Sequence, residues 1–191
     1  MNLLQGIERD DYVTGRKIKN ILIAFGVDCY GRSSLLGEGC YKEVHRTNIP
    51  GVALFLTKAK RQFDREVLVL ELLNEYGFPA MKYYSIENID GVVVALGKML
   101  KPHESRWDTA RTQAVHDQVE GWLLAMIDEG VYLEDLQFML DDDDQPVFID
   151  PLDMCDVRLD YRGTYRQSAM CKDDKSCLSV LATKYYSEEN R

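Results

Sequence analysis

The sequence predicts an α+β fold, on three observations. Residues 35–56 alternate short apolar runs with glycine turns, the pattern of consecutive strands. Residues 61–76 and 107–129 carry apolar side chains at helical spacing. Residues 131–149 return to short apolar runs, VYL, FML and PVFI, with an acidic turn before the last. Strands and helices grouped in this way belong to the α+β class.

The gross numbers bound the function. A chain of 191 residues makes one domain of ordinary size or one small two-lobed unit. A net charge of −9 argues against a nucleic-acid partner, because a phosphate-facing surface needs clustered Lys and Arg. The start, MNLLQGIERDDY, has no basic segment followed by an apolar run, so no Sec-type signal is expected. No apolar run has the length of a membrane span, so no membrane partner is expected either. The expectation is a cytoplasmic protein, with export by a route lacking a cleaved signal left open. The cysteines, Cys29, Cys40, Cys155, Cys171 and Cys177, are odd in number and form no C-x-x-C pair, so neither a disulfide framework nor a zinc site is signalled. His45, His103 and His116 are scattered and read as surface or packing residues.

Taken in order, residues 1–12 are polar and read as surface. Tyr12 to Phe25 has apolar residues at Val13, Ile18, Ile21, Leu22 and Phe25, which fits an amphipathic helix stopped by Gly26. Leu35-Leu36 leads into a glycine turn, Gly37-Glu38-Gly39, then an extended segment through Val44. Asn48-Ile49-Pro50-Gly51 is a turn, and Val52–Leu56 a buried strand. Glycines at such a turn let a backbone approach a ligand and offer N–H groups to phosphate, although a lone G-x-G is weak evidence. Arg61–Tyr76 reads as a helix with an apolar stripe through Phe63, Val67, Leu70 and Leu73, closed by Gly77 and Pro79. Glu66 sits within that apolar side, where an acid is ordinarily a boundary residue but can also be a paired functional one. Met81–Ile86 and Gly91–Leu96 read as two strands, and Lys98–Pro102 as a linker. Trp107–Glu129 reads as a long helix ended by Gly130. The last stretch holds a hairpin bracketed by Asp135 and Asp150, which a hairpin brings near each other. Asp135, Gln137 and Asp150 are hard oxygen donors of the kind that suit magnesium and phosphate chemistry, although the same residues fit a surface hairpin with solvated acids. Asp141–Asp144 reads as a solvated turn, since the spaced acids, Gly and distal Glu of a calcium loop are missing. Ser176–Tyr186 reads as a helix.

This order of elements over residues 33–152 resembles the protein kinase fold, with a small antiparallel β-sheet N-lobe at about 1–97 and a reduced, mainly helical C-lobe at about 98–191, together one kinase-like domain. Gly37, Gly39 and Val44 match the kinase pattern G-x-G-x-x-G-x-V, with Lys42 where the third glycine would be. Kinases carry an ATP-binding Lys in Val-Ala-x-Lys on the third strand; here Val52-Ala53-Leu54 is followed by Phe55. Alternation puts Phe55 on the face of Ala53 and Lys58 on the other. Lys42 is placed to supply the missing ammonium, a swap that resembles the kinases named for having no lysine at the usual place. Glu66 is placed like the helix glutamate that pairs this lysine. Asp135 looks like the catalytic aspartate, Asp150 like the metal-binding Asp of Asp-Phe-Gly, here Asp-Pro-Leu, and Gln137 stands in for the metal-binding Asn in a loop three residues shorter. Asp-Leu-Gln-Phe with Asp-Pro-Leu, and the short C-terminal part, resemble minimal bacterial kinase-like effectors and toxin domains. One such family phosphorylates a host's cytosolic ATP-dependent chaperone.

The resemblance implies an ATP- and Mg²⁺-dependent protein kinase acting on a protein hydroxyl, Ser/Thr by preference, with a host chaperone as the partner it suggests; the oligomeric state is not set by the sequence, a monomer being favoured. It implies that backbone near Gly37, Gly39, Cys40 and Tyr41 covers the phosphates. Lys42, held by Glu66, neutralises them. Gln137 and Asp150 hold Mg²⁺, and Asp135 orients the acceptor hydroxyl. Ala53 and Met99 lie near the adenine. Two other classes stay open: a kinase-fold binding module without catalysis, and a small-molecule phosphotransferase.

Overall fold

A computed structural model of the chain describes residues 3–39, 41–101, 110–128, 131–134, 137–151 and 153–156. The protein is α+β, and its described residues divide into two compact units. The first comprises residues up to Val67 together with Met81–Leu100; the second comprises Leu68–Ala80 and the chain from Lys101. Leu68–Ala80 groups with the second unit because its backbone is tied there: Phe148 donates its N–H to Pro79 O at 2.8 Å, and Ala80 bridges Phe148.

The first unit is built on a five-stranded antiparallel sheet ordered β1-β2-β3-β5-β4. Its strands are β1 (Leu35–Glu38), β2 (Lys42–Arg46), β3 (Val52–Thr57), β4 (Tyr83–Ile89) and β5 (Val92–Lys98). The central strand β3 is buried along nearly its whole length, as its unbroken apolar run demands. Register sorts its neighbours by face. Lys42, Val44 and Arg46 stand opposite Thr57, Phe55 and Ala53, so these six share one face. Leu54 and Leu56 face the other way and pack with Val94, Leu4, Ile7, Ile18 and Leu22. Those last four belong to two helices, α1 (Leu3–Asp10) and α2 (Tyr12–Ala24).

Helix α1 corrects the expectation that residues 1–12 are surface. Leu4 and Ile7, three apart, lie on one helical face and are 1% and 2% exposed. Two apolar residues in a polar dodecapeptide make too weak a period to read, yet they are enough to seal the sheet. Asp11 caps α2, accepting from the N–H groups of Val13 and Thr14 at 3.0 and 3.2 Å. Gly26 ends this helix in the left-handed region, φ 70°. Val13, expected on the apolar stripe, is exposed instead, because Thr14 and Gly15 take the buried side.

β4 and β5 are joined at Asp90-Gly91, both with positive φ, as a tight hairpin turn requires. Lys17 and Thr14 of α2 both donate to Asp90 Oδ2, at 2.8 and 3.0 Å, tying the turn to the helix layer. Helix α3 (Lys60–Glu75) spans the division between the units; in the first, Phe63 and Glu66 are fully buried.

The second unit contains α4 (Ala110–Asp128) and strands β6 (Val131–Glu134), β7 (Gln137–Leu140), β8 (Pro146–Ile149) and β9 (Asp153–Asp156). β7 pairs β8 in one two-stranded sheet and β6 pairs β9 in another, Glu134 opposite Asp153. Val115, Val119, Leu123 and Met126 form the buried stripe of α4, and Trp122 meets the Phe148 ring edge-on at 5.6 Å. Asp141 shapes the β7–β8 turn, accepting from the N–H groups of Asp143 and Gln145. The helix expected over Ser176–Tyr186, and the expected helix ends at Trp107 and Glu129, lie outside the described residues. Among the described residues no helix is long and apolar enough to cross a membrane.

Candidate functional site

Glu66 is the centre of the first unit's polar chemistry. It falls on the stripe Phe63, Glu66, Leu70, Leu73, so helical geometry carries a carboxylate to a buried position among apolar side chains. A carboxylate there must be paired and hydrogen-bonded. Lys42 does both: its Nζ donates to Oε1 at 2.8 Å and to Oε2 at 2.9 Å. The two side chains are 5% and 1% exposed, so bulk water screens the pair little. Tyr83 donates its hydroxyl to Oε1 at 2.7 Å, and Tyr41 donates to Oε2. Lys42 Nζ also lies 5.6 and 5.7 Å from the Tyr41 and Phe55 ring centroids, within cation–π range.

Strand register explains why Lys42 reaches this acid. It opens β2 on the face shared with Phe55 and Ala53, the face on which Glu66 and Tyr83 lie. Lys58 is directed elsewhere and pairs with Asp10 of α1 at 2.7 Å. Ala53 is buried on the Phe55 face.

The glycine turn differs from its expected form. Gly37 is a strand residue, paired with Val44 beside a bulge, and not part of the turn. Gly39 donates its N–H to Lys42 O at 2.9 Å, closing the hairpin on itself. Neither glycine has positive φ. Sequence spacing alone does not fix where a hairpin turns; the pairing of Glu38 with Glu43 does. Tyr41, expected near phosphate through its backbone, has its carbonyl held by the Thr57 hydroxyl and its phenol on Glu66. Cys40 lies outside the described residues. Met99 is half-buried, and its N–H donates to Gly51 O at 2.8 Å. A cleft of about 420 Å³ opens beside the hairpin, lined by Leu3, Glu38, Gly39, Tyr41, Lys42 and Lys58 among others.

On the opposite face, a second buried polar group was not legible in the sequence. His45 Nε2 lies 3.2 Å from Glu43 Oε2, and Glu43 Oε1 accepts the Leu3 N–H at 2.7 Å. Burial pushes the Glu43 carboxyl up, but the His45 hydrogen bond, the Leu3 N–H and the charge of His45 outweigh it and hold it below the usual glutamate range. Alternation along KEVHR predicts that Glu43 and His45 share a face, but that α1 covers that face is a tertiary fact.

In the second unit, Gln137 pairs with Ile149, the residue before Asp150. The ladder therefore sets an amide and a carboxylate at the same end of the hairpin. Gln137 is exposed and Asp150 half-buried. Asp150 has φ 49°, a left-handed conformation that Asp tolerates better than most residues. Asp135 lies outside the described residues. No cluster of three or more His, Cys, Asp or Glu that could hold a metal occurs among the described residues. Tyr83 is the functional candidate that sequence reading missed; in the run MKYYS nothing marks the first tyrosine over the second. No protein-family model matches this chain.

Proposed function

We propose that the chain is a Mg-ATP-dependent phosphotransferase of reduced, two-lobed protein-kinase-like design, transferring phosphate to a protein hydroxyl. The observation that carries this reading is the buried Lys42–Glu66 pair beside a strand that offers Phe55 where a kinase has its lysine. A lysine fixed by a buried acid is a prepared counter-charge for phosphate oxygens, and phosphoryl transfer asks mainly for positioning and charge stabilisation.

Gln137 and Asp150 fit a magnesium ion in donor chemistry: both present hard oxygens, and Mg²⁺ is ordinarily held by one or two carboxylates with water and phosphate completing its shell. When bound, the ion would neutralise phosphate charge. Asp135 would orient the acceptor hydroxyl and take its proton. A serine or threonine acceptor, an effector role and a host cytosolic chaperone as substrate rest on the resemblance of Asp135-Leu136-Gln137-Phe138 and Asp150-Pro151-Leu152 to the minimal bacterial kinases.

A second reading, a kinase-fold binding module without catalysis, is favoured by the Gly39 and Met99 N–H groups, which are engaged by Lys42 and Gly51 carbonyls rather than left for a nucleotide. Incubation with labelled Mg-ATP and a eukaryotic lysate separates the readings. Label in protein supports the kinase; label confined to small molecules points to a small-molecule phosphotransferase; no transfer and no Mg-ATP thermal shift leaves the binding module. Asp150→Asn should abolish transfer with little change in melting, since Asn also accepts the left-handed backbone. Full transfer by that variant would end the assignment of Asp150 as metal ligand.

A further inference from the structure

We propose that Tyr41 and Tyr83 are positioning residues that fix the Glu66 carboxylate and, through it, the Lys42 ammonium; the functional weight of this rests on reading Lys42 as the phosphate-facing cation. A carboxylate offers about four acceptor directions, two per oxygen. At Glu66 each oxygen takes one Lys42 N–H and one phenol, Tyr83 on Oε1 and Tyr41 on Oε2. Rotation of the carboxylate would break several of these bonds at once, so its plane is set.

Each phenol is itself held. The Tyr83 ring meets Phe55 edge-on at 5.1 Å and Phe63 at 4.9 Å. Tyr41 is anchored by its own carbonyl, which accepts from the Thr57 hydroxyl. The phenols also come from different places, one from the start of β4 and one from the β1–β2 hairpin. A lysine on a flexible four-carbon stem is poorly located by one carboxylate that can turn. It is well located by one that cannot. Tyr41 adds a second consequence: it joins the glycine hairpin to α3, so the segment beside Lys42 and the acid that holds Lys42 move together.

The test compares wild type with Tyr41→Phe, Tyr83→Phe and the double variant. The rate of reductive methylation at Lys42 is read by peptide mass spectrometry, with Lys17 and Lys58 as internal controls and circular dichroism as the check on folding. Each single variant should raise the Lys42 rate by roughly tenfold, the scale of one lost hydrogen bond to a charged group, while the control lysines keep theirs. Unchanged Lys42 rates in the folded single variants would overturn the proposal, leaving the phenols as partners that merely satisfy a buried acid. If the double variant does not fold, Tyr41→Phe decides alone, because its half-buried ring keeps its packing. Protection of wild-type Lys42 by Mg-ATP is measured in the same samples. A raised rate in the variants without that protection keeps the positioning role and removes the phosphate-facing reading of Lys42.

Discussion

Lys42 and Glu66 are worth more broken than made. Removing one partner of a buried pair leaves an uncompensated charge, so Lys42→Ala should destabilise the fold by about 3–5 kcal/mol in urea unfolding. The double substitution Lys42→Met with Glu66→Leu should recover most of that loss, because it removes both charges and keeps the volume. A double variant as unstable as the single would show that the phenols, left without an acceptor, dominate. At Glu43 the sign of a pH effect follows from its neighbours. Its carboxyl is held low when folded, so its stabilisation is complete above the unfolded glutamate pKa and is lost as pH falls through the lower folded value. Relative to Glu43→Gln, the wild type should lose stability as pH drops below about 4.3. Parallel curves for the two proteins from pH 6 to 3 would refute this. The exposed carboxylates held low by their partners, such as Asp10 and Asp90, titrate in both proteins and cancel in the comparison.

At the scale of elements, α1 and the Asp90-Gly91 turn invite direct tests. Ile7 is buried against the sheet, so Ile7→Ala should cost about 2–5 kcal/mol, a value foreign to a surface segment. A melting temperature unchanged by that substitution would detach α1 from the core. Gly91 has open space where a Cβ would stand, yet its φ is +89°. Gly91→Ala should therefore cost about 1–2 kcal/mol through the backbone alone, with no clash to relieve. The residue before it, Asp90, carries positive φ without being glycine and is compensated by Lys17 and Thr14.

At the scale of the molecule, protection follows layering. β3 and β5 lie inside the sheet, with apolar helices over Leu54, Leu56 and Val94 on one face and Phe63 and Glu66 on the other. β1 and β4 are edges, and β4 exposes most of its side chains. Hydrogen exchange should be slowest at the amides of Leu54, Leu56 and Val94 and fastest in β1 and β4. Faster exchange in β3 than in β1 would mean that the sheet does not open from its edges.

The residue pattern by itself determined the α+β class, the stripe of α3 that buries Glu66, the stop at Gly26, and the shared face of Ala53 and Phe55 that leaves Lys58 aside. These follow from helical and strand periods, which act over a few residues. Tertiary structure alone decided that Gly37 belongs to a strand, that the hairpin closes on Gly39, that α1 is core, and that Tyr83 reaches Glu66 and Leu3 reaches Glu43 across separations of 17 and 40 residues. Such partners are chosen by strand register and by the need to satisfy every buried polar atom, and neither leaves a local trace in the chain.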